Sequence, residues 1–259
     1  PAIMSNIISP IRNKIKPISL SQFNLLLAIW LGMVLNFAFF QKIQNLTPYQ
    51  GPKAYLFLMA TVLVIVAAYN FIFQLIQWKW NAKIFAYVLL FIGGFTAYFV
   101  NSLGVVISPE QVQNMMQTDA REVRGLLSLR FVLWTVGFVI CPLILVALVR
   151  IKPEVLLSKV TKKLINSIVS LLLVGGLLFL FYVDYAAIFR EHRDLKGMIS
   201  PQNTISSTLS YYHKSKPAQN LPLVTYGDDA HLIGPVSKQQ KPKLMVLVVG
   251  ETARAESFS

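Results

Sequence analysis

Five long apolar stretches run through the chain, at roughly 22–41, 54–76, 84–107, 128–149 and 165–187. A helix needs about 20 mostly apolar residues to cross a hydrocarbon core of about 30 Å, so the pattern predicts five membrane-spanning helices. The first is read as a retained span rather than a cleaved signal peptide: it is long, it follows a leader of about twenty residues, and no small-residue cleavage site closes it.

Between the third and fourth spans the pattern turns polar. Ser108-Pro109-Glu110 is a helix start, with Ser108 at the cap and Pro109 in the first turn. On the helix it opens, Asn114, Thr118 and Glu122 stand four apart and share one face. After the fifth span comes the mixed patch Arg190-Glu191-His192-Arg193-Asp194, and Ser200-Pro201 then opens a segment with Ile205, Leu209, Tyr211 and Tyr212. That segment reads either as an amphipathic helix lying on the membrane surface, with its tyrosines at headgroup level, or as a simple exposed helix. Prolines and glycines from Ser215 to Lys243 mark a connector. Beyond it, Leu244-Met245-Val246-Leu247-Val248-Val249 is too short to span and suits a strand buried on both faces of a parallel sheet. Gly250-Glu251-Thr252 follows at the carboxyl end of that strand, where open α/β sheets place their sites.

Composition agrees with the pattern. With 55% hydrophobic and only 14% charged residues, the chain is no water-soluble globule, for which about 25% charged residues are usual. The net charge of +13 is spread in short clusters between apolar runs rather than along a polar domain, so it points to a membrane and not to nucleic acid. Lys and Arg flanking the spans are held on the cytoplasmic side. Ten lie on the side of the N-terminus (Arg12, Lys14, Lys16, Lys79, Lys83, Arg150, Lys152, Lys159, Lys162 and Lys163) against five on the other (Lys42, Lys53, Arg121, Arg124 and Arg130). The N-terminus is therefore expected in the cytoplasm, and everything after about residue 188 in the periplasm. Trp78 and Trp80 beside Lys79 fit an interfacial anchor on the inner face.

Within the spans, Gly93-Gly94 and Gly175-Gly176 are expected at close helix contacts, Pro142 at a kink, and the lone Cys141 in packing. No acidic residue lies at mid-depth, which argues against an ion or proton pathway; Asp184 falls near the outer end of the fifth span. His192, His213 and His231 lack metal-ligand spacing and read as surface residues. An amide, a hydroxyl and a carboxylate at Asn114, Thr118 and Glu122 suit a small ammonium headgroup, with Glu122 supplying charge. On spacing alone the commoner reading is a solvated polar face.

The run Leu247-Val248-Val249-Gly250-Glu251-Thr252-Ala253-Arg254-Ala255-Glu256-Ser257-Phe258-Ser259, after five spans and a long connector, resembles the opening of the catalytic domain of bacterial lipid A phosphoethanolamine transferases, the enzymes of polymyxin (colistin) resistance. The stretch Asn114-Met115-Met116-Gln117-Thr118-Asp119 is similar to that family's outer-loop helix. The resemblance implies a mainly α architecture: a five-helix transmembrane domain over 1–189, an outer-face interfacial helix and connector over 190–243, and over 244–259 the first strand of an α/β alkaline-phosphatase-like domain. It implies transfer of phosphoethanolamine from phosphatidylethanolamine to a lipid A phosphate at the outer face of the bacterial inner membrane, by way of a phosphothreonine-type intermediate. Glu251 falls on a zinc ligand of the family, and Asn114, Thr118 and Glu122 fall on positions that bind the headgroup, which turns the reading of that face toward substrate. The nucleophilic threonine and the other zinc ligands are expected beyond Ser259, so Thr252 is not the nucleophile, and the chain as it stands is expected to be an incomplete, inactive portion. Its expected partners are the two lipids and the surrounding membrane, with no nucleic acid, and its expected state is a monomer.

Two other readings remain at this point: a related outer-face phosphoethanolamine or phosphoglycerol transferase with a different acceptor, and a non-enzymatic five-span protein in which the last strand is incidental. Topology tests the common premise. Reporter fusions after Lys83 and Lys163 are expected to read cytoplasmic and one after Gly197 periplasmic; a cytoplasmic signal at the last would mean that the spans are miscounted.

Overall fold

Ser19 starts the first crossing by accepting a hydrogen bond from the Gln22 N–H, while the Gln22 side chain accepts from the Ser19 N–H, a capping box that satisfies two otherwise orphaned donors. The structure is a computed structural model that describes residues 16–118 and 128–218, the side chains of 214–218 excepted. All of these lie in the first of the chain's two units, which ends at Gln219. The expected strand at 244–249, with Glu251 and Thr252, lies outside the described residues.

Five helical segments are long and apolar enough to cross a membrane: Leu20–Leu46, Pro52–Ile76, Ala82–Leu103, Leu129–Leu148 and Leu156–Leu180. The chain is a multi-pass membrane protein. The first crossing is α1 (Leu20–Gly32), a 3-10 turn (Val34–Asn36) and α2 (Phe37–Leu46). The second is α3 (Pro52–Ile76), with proline in the first turn, and the third is α4 (Ala82–Leu103), closed by Gly104 at φ 66°. Next comes the short α5 (Pro109–Gln117). The fourth crossing is α6 (Leu129–Trp134), a π-helical turn (Thr135–Ile140) and α7 (Cys141–Leu148). Then follow α8 (Leu156–Leu180), α9 (Tyr182–Glu191), a 3-10 turn (Arg193–Met198) and α10 (Gln202–Ala218). Among the described residues the one extended pairing is a parallel bridge between Ile18 and Ile151, which ties the start of the first crossing to the end of the fourth.

The fifth crossing differs from the sequence expectation, beginning at Leu156 rather than near residue 165 and ending at Leu180 rather than 187. Lys159, Lys162 and Lys163 lie inside its first turns instead of in a loop. A lysine stem is apolar enough to lie along a span near its end, so the charge does not mark the boundary. The third crossing likewise stops at Leu103, where Gly104 adopts a left-handed conformation, rather than at 107.

The bundle is apolar outside and partly polar within. Leu172, Phe179 and Leu180 of the fifth crossing are exposed, as a surface facing lipid tails should be, whereas Asn24, Asn70, Gln74 and Ser170 are buried. The Gln74 Oε1 accepts from Ser21 and Asn24 on α1, its Nε2 donates to Asn70, and the Asn70 Nδ2 donates to Ser170 on α8. In hydrocarbon, where apolar contact gives helices little reason to associate, such interhelical bonds help to hold them together.

Pro142 acts where expected, by a particular device. A proline clashes with the carbonyl four residues back and donates nothing to it. Here the preceding turn widens to π geometry, and the Cys141 N–H bonds to the Val136 carbonyl five residues back. The widened turn packs against α4 at Gly94, where a Cβ would stand 2.6 Å from Val139 Cγ2, and the Trp134 indole donates to the Gly94 carbonyl at 2.9 Å. Gly175 and Gly176, by contrast, have nothing within 4 Å of an added Cβ, and Cys141 is exposed on its helix, so these are not the packing sites expected of them.

The largest departure concerns the segment after α9. Ser200 is fully buried, Asn203 fully and Ser207 nearly so, while Ile205, Leu209 and Tyr212 on the other faces of α10 are exposed. The start of α10 is thus inserted into the bundle rather than laid on its surface. Asn36, midway along the first crossing, holds it there: its Oδ1 accepts from the Ser200 N–H at 2.7 Å, and its Nδ2 donates to the Ser200 carbonyl at 3.1 Å and to Leu31 and Gly32. The Tyr69 hydroxyl donates to the same Ser200 carbonyl at 3.0 Å, and Pro201 faces Gly93 of α4.

Asn36→Leu strands a buried backbone N–H and is expected to destabilise the bundle by about 1–3 kcal/mol. Gly197→Val, at a position where a Cβ would stand 2.5 Å from Val106 Cγ1, is expected to cost a similar amount by overpacking. Thermal denaturation in detergent reads both, and an unchanged midpoint for Asn36→Leu would mean that the clamp is dispensable.

Candidate substrate-binding face

At the end of the bundle where Leu46 and Leu103 lie, α5 is fastened to α10 from below. The Ser108 side chain caps α5 by accepting from the Gln111 N–H at 3.2 Å, with Pro109 in the first turn, as the sequence pattern predicts. Just before it, the Ile107 N–H donates to the Gly197 carbonyl at 2.9 Å, and the Ser207 hydroxyl donates to the Ile107 carbonyl at 3.1 Å. Ile107 and Val112 are buried against the core, and the remaining surface of α5 presents Gln113, Asn114, Met115 and Met116 outward. The helix is a shelf whose free face carries amides and two thioethers.

Asn114 is exposed on that face. Thr118 is not in the helix: it is the extended residue that ends α5, and its hydroxyl donates to the Asn114 carbonyl at 2.8 Å. The four-residue spacing therefore joins Asn114 and Thr118 through a helix-ending hydrogen bond, with Thr118 just past the end of the helix. Glu122 lies outside the described residues, as do Asp119, Arg121 and Arg124.

Charged and aromatic groups brace the same end. Lys42 on α2 forms an ion pair with Asp194, and its ammonium holds the Asp194 carboxyl below the usual carboxylate range. The Tyr49 hydroxyl donates to Asp184 at 2.8 Å, which pushes the phenol above its ordinary value, and Lys53 sits 4.3 Å from the Tyr49 ring centre. Asp184 is therefore tied by a tyrosine rather than left to solvent alone. The Tyr49 ring packs edge-on to Phe57 and Phe181.

Among the described residues no group of three His, Cys, Asp or Glu side chains is placed to hold a metal ion. His192 and His213 stand apart in that respect; His231 lies outside the described residues. The sequence pattern did not single out Asn36, Tyr69 or Asn203, which together hold Ser200 and Gly197 beneath the shelf. An isolated amide inside an apolar run was the available signal.

The model of the family described as phosphoethanolamine transferase EptA/EptB matches residues 65–215, a stretch that contains α5 and most of α10. The chain is 32% identical over 237 residues to phosphoethanolamine transferase EptA of Escherichia coli (strain K12), covering 91% of this chain and 43% of that protein. It is 30% identical over 238 residues to phosphatidylethanolamine transferase Mcr-1 of Escherichia coli, covering 90% of this chain and again 43% of the relative. The chain thus spans about two fifths of the length of the curated relatives it matches. Among solved structures, the integral membrane protein lipooligosaccharide phosphoethanolamine transferase A (EptA) from Neisseria meningitidis superposes with a TM-score of 0.72 at 28% identity, over 80% of this chain and 38% of that one.

The ion pair that braces the face makes a pH prediction. A carboxyl whose folded pKa is lowered contributes stability above its unfolded value of about 3.9, and that contribution is lost as pH falls through the lower folded value. Both partners are more than a third exposed, so solvent screening limits the pair to about 1 kcal/mol or less. Asp194→Asn should therefore be slightly less stable than the parent at pH 6, with the gap closing only as the pH is taken well below about 4, toward the lowered folded value. Thermal shifts at a series of pH values check this, and a gap that does not close would point to a cause other than the charge.

Proposed function

The chain belongs to the phosphoethanolamine transferase EptA/EptB family, and from that premise we propose that it is the membrane half of an enzyme that moves phosphoethanolamine from phosphatidylethanolamine to a phosphate of lipid A. The observation that carries the reading is the family match across residues 65–215, which takes in the shelf helix and the inserted segment that supports it. Multi-pass anchoring suits the chemistry, since donor and acceptor are both lipids and are met by diffusion in one leaflet. The excess of flanking Lys and Arg on the side of the N-terminus supports an inner-membrane topology with α5 and α10 at the periplasmic face.

In this reading Asn114 and Thr118 lie where the donor headgroup is received, and Glu122 supplies a negative charge for its ammonium. Glu251 is proposed as one ligand of a zinc ion that acts as a Lewis acid on the phosphoryl group. One carboxylate does not make a zinc site, and the described residues offer no others, so no step is derived through the metal. Thr252, beside that ligand, is proposed not to be the nucleophile.

Mass spectrometry of lipid A from cells expressing the full-length protein tests the function: added phosphoethanolamine supports it, and unmodified lipid A with another phosphoethanolamine-bearing glycan would favour the alternative acceptor. For the site, Glu122→Gln is expected to lower donor turnover per unit concentration by roughly ten- to a hundredfold, since a charge-assisted contact contributes about 1.5–3 kcal/mol. Thr118→Ala and Asn114→Ala remove neutral hydrogen bonds and should cost less, about 0.5–1.5 kcal/mol each. Equal activity in all three would return the helix to a scaffold role. Glu251→Ala should lose both zinc and activity, while Thr252→Ala keeps the covalent intermediate.

A further inference from the structure

At the end of the bundle where the first crossing begins, the tie between the first and fourth crossings builds a pocket. The Ile18 N–H donates to the Arg150 carbonyl at 3.0 Å and the Ile18 carbonyl accepts from the Lys152 N–H at 2.9 Å, so the chain carries Lys152 to the head of α1. A pocket of about 280 Å³ opens there, with Ser19 and Gln22 at the start of α1, Leu25 one turn on, Lys152, and Lys162 and Asn166 of α8 in its wall. Its donors outnumber their partners. Ser19 is only 6% exposed; its oxygen accepts from the Gln22 N–H, but its hydroxyl hydrogen has no acceptor among the described residues. The Gln22 Oε1 accepts from the Ser19 N–H, and its Nε2 likewise has no acceptor among the described residues. Lys162 is ion-paired with Glu154, whereas the exposed Lys152 ammonium has neither an ion pair nor a hydrogen bond among the described residues. Asn166 donates to the Lys162 carbonyl at 2.8 Å and keeps its Oδ1 open. No carboxylate lines the pocket. A buried donor without an acceptor is costly, and native structures keep such groups where something else supplies the partner.

A hydroxyl, an amide and an uncompensated ammonium, with no carboxylate among them, select an anion, and the surroundings select its source. The pocket lies at the end of the bundle where Trp78 and Trp80 are exposed, as at a membrane interface. Leu25, in its wall, is exposed and shares a face of α1 with exposed Ile29 one turn further; on the neighbouring α8, exposed Val169 and Leu173 share the face of Asn166. The pocket therefore continues into an apolar seam that faces lipid tails, and a basic pocket between membrane helices that opens on hydrocarbon suits a phospholipid head. The wall offers no carboxylate to receive a headgroup ammonium, so an anionic head without an amine fits better than a zwitterionic one. We propose that this pocket binds the phosphodiester of an anionic glycerophospholipid, phosphatidylglycerol, of the leaflet on the side of the N-terminus. The phosphoryl oxygens accept from the Ser19 hydroxyl and Gln22 Nε2 and face the Lys152 ammonium. A glycerol hydroxyl donates to Asn166 Oδ1, and one acyl chain runs along Leu25, Ile29 and Val169. Bound there, the lipid joins the first, fourth and fifth crossings. The site lies at the other end of the bundle from the shelf helix and does not rest on the transferase reading; it is measured by binding, without transfer.

Photolabelling of the full-length protein tests it, in nanodiscs containing a trace of phosphatidylglycerol with a diazirine in one acyl chain, followed by peptide mapping. Labels are expected on the α1 and α8 segments that carry Leu25, Ile29 and Val169, and unlabelled phosphatidylglycerol should displace them better than phosphatidylethanolamine or free inorganic phosphate. Lys152→Glu, which reverses the uncompensated charge, should reduce those labels by roughly fivefold or more, since one such cation near the membrane surface is worth about that factor. Lys79→Glu, at an exposed lysine outside the pocket, should leave them unchanged. In detergent, added phosphatidylglycerol should raise the thermal midpoint of the parent and not that of Lys152→Glu, while the two have equal midpoints without lipid, because Lys152 makes no contact that the substitution breaks. Labels spread evenly along α8, or reduced equally by Lys79→Glu and Lys152→Glu, would overturn the site. Equal displacement by phosphatidylethanolamine would overturn the anionic headgroup, and equal displacement by inorganic phosphate would overturn a lipid as the source of the anion.

Discussion

Inside a bilayer no water is available to a backbone N–H or C=O that leaves its helix, and every such group must find a partner within the protein. The pairing of Asn36 with Ser200 is where this chain meets that constraint, and much of the architecture follows from it. The first crossing breaks into a 3-10 turn at Val34–Asn36, and the Asn36 amide serves both the broken helix, through Leu31 and Gly32, and the incoming strand of chain at Ser200. With that junction satisfied, α10 can start inside the bundle, and the loop before it can reach Ile107 and fix the approach to α5. Without it, the natural place for residues 193–218 is the surface.

The same constraint explains why the bundle reads as an inverted globule. Its buried contacts include Asn24, Asn70, Gln74 and Ser170 in one chain of hydrogen bonds, and its outer surface is leucine and phenylalanine. On α10 the small polar residues Asn203 and Ser207, like Ser200 just before it, turn inward and Ile205, Leu209 and Tyr212 outward. An amphipathic helix at a water interface would be arranged the other way, so the pattern reports which solvent it meets.

Much of the architecture was legible from residue pattern, and the limits of that legibility are physical. Runs of twenty apolar residues make the number of crossings plain, and Ser108-Pro109 marks the start of α5 because capping is a local event. The start of the fifth crossing was hidden by Lys159, Lys162 and Lys163, whose stems let charged residues lie within a helical span. The insertion of Ser200 was hidden because it depends on residue 36, far away in sequence and joined to it only in three dimensions. The amide at Asn36 carries no local mark of the junction it makes. At the shelf, the helix start at Ser108-Pro109 was legible, whereas its end at Gln117, which leaves Thr118 outside the helix and bonded to the Asn114 carbonyl, was not.

The clamp also bears on how a protein of this kind can be taken apart. The last full crossing ends at Leu180, and a chain cut or spliced just after it would look, on a hydropathy plot, like a complete membrane unit. Such a unit would lack Ser200, leaving the Asn36 amide without its partner, the Gly93 face bare and the Ile107 N–H unmatched. The modular boundary is therefore set by hydrogen bonding rather than by hydrophobic length, and it falls after α10. Chimeras that exchange extramembrane parts between homologues keep their junction intact only if residues 193–218 travel with the crossings that hold them.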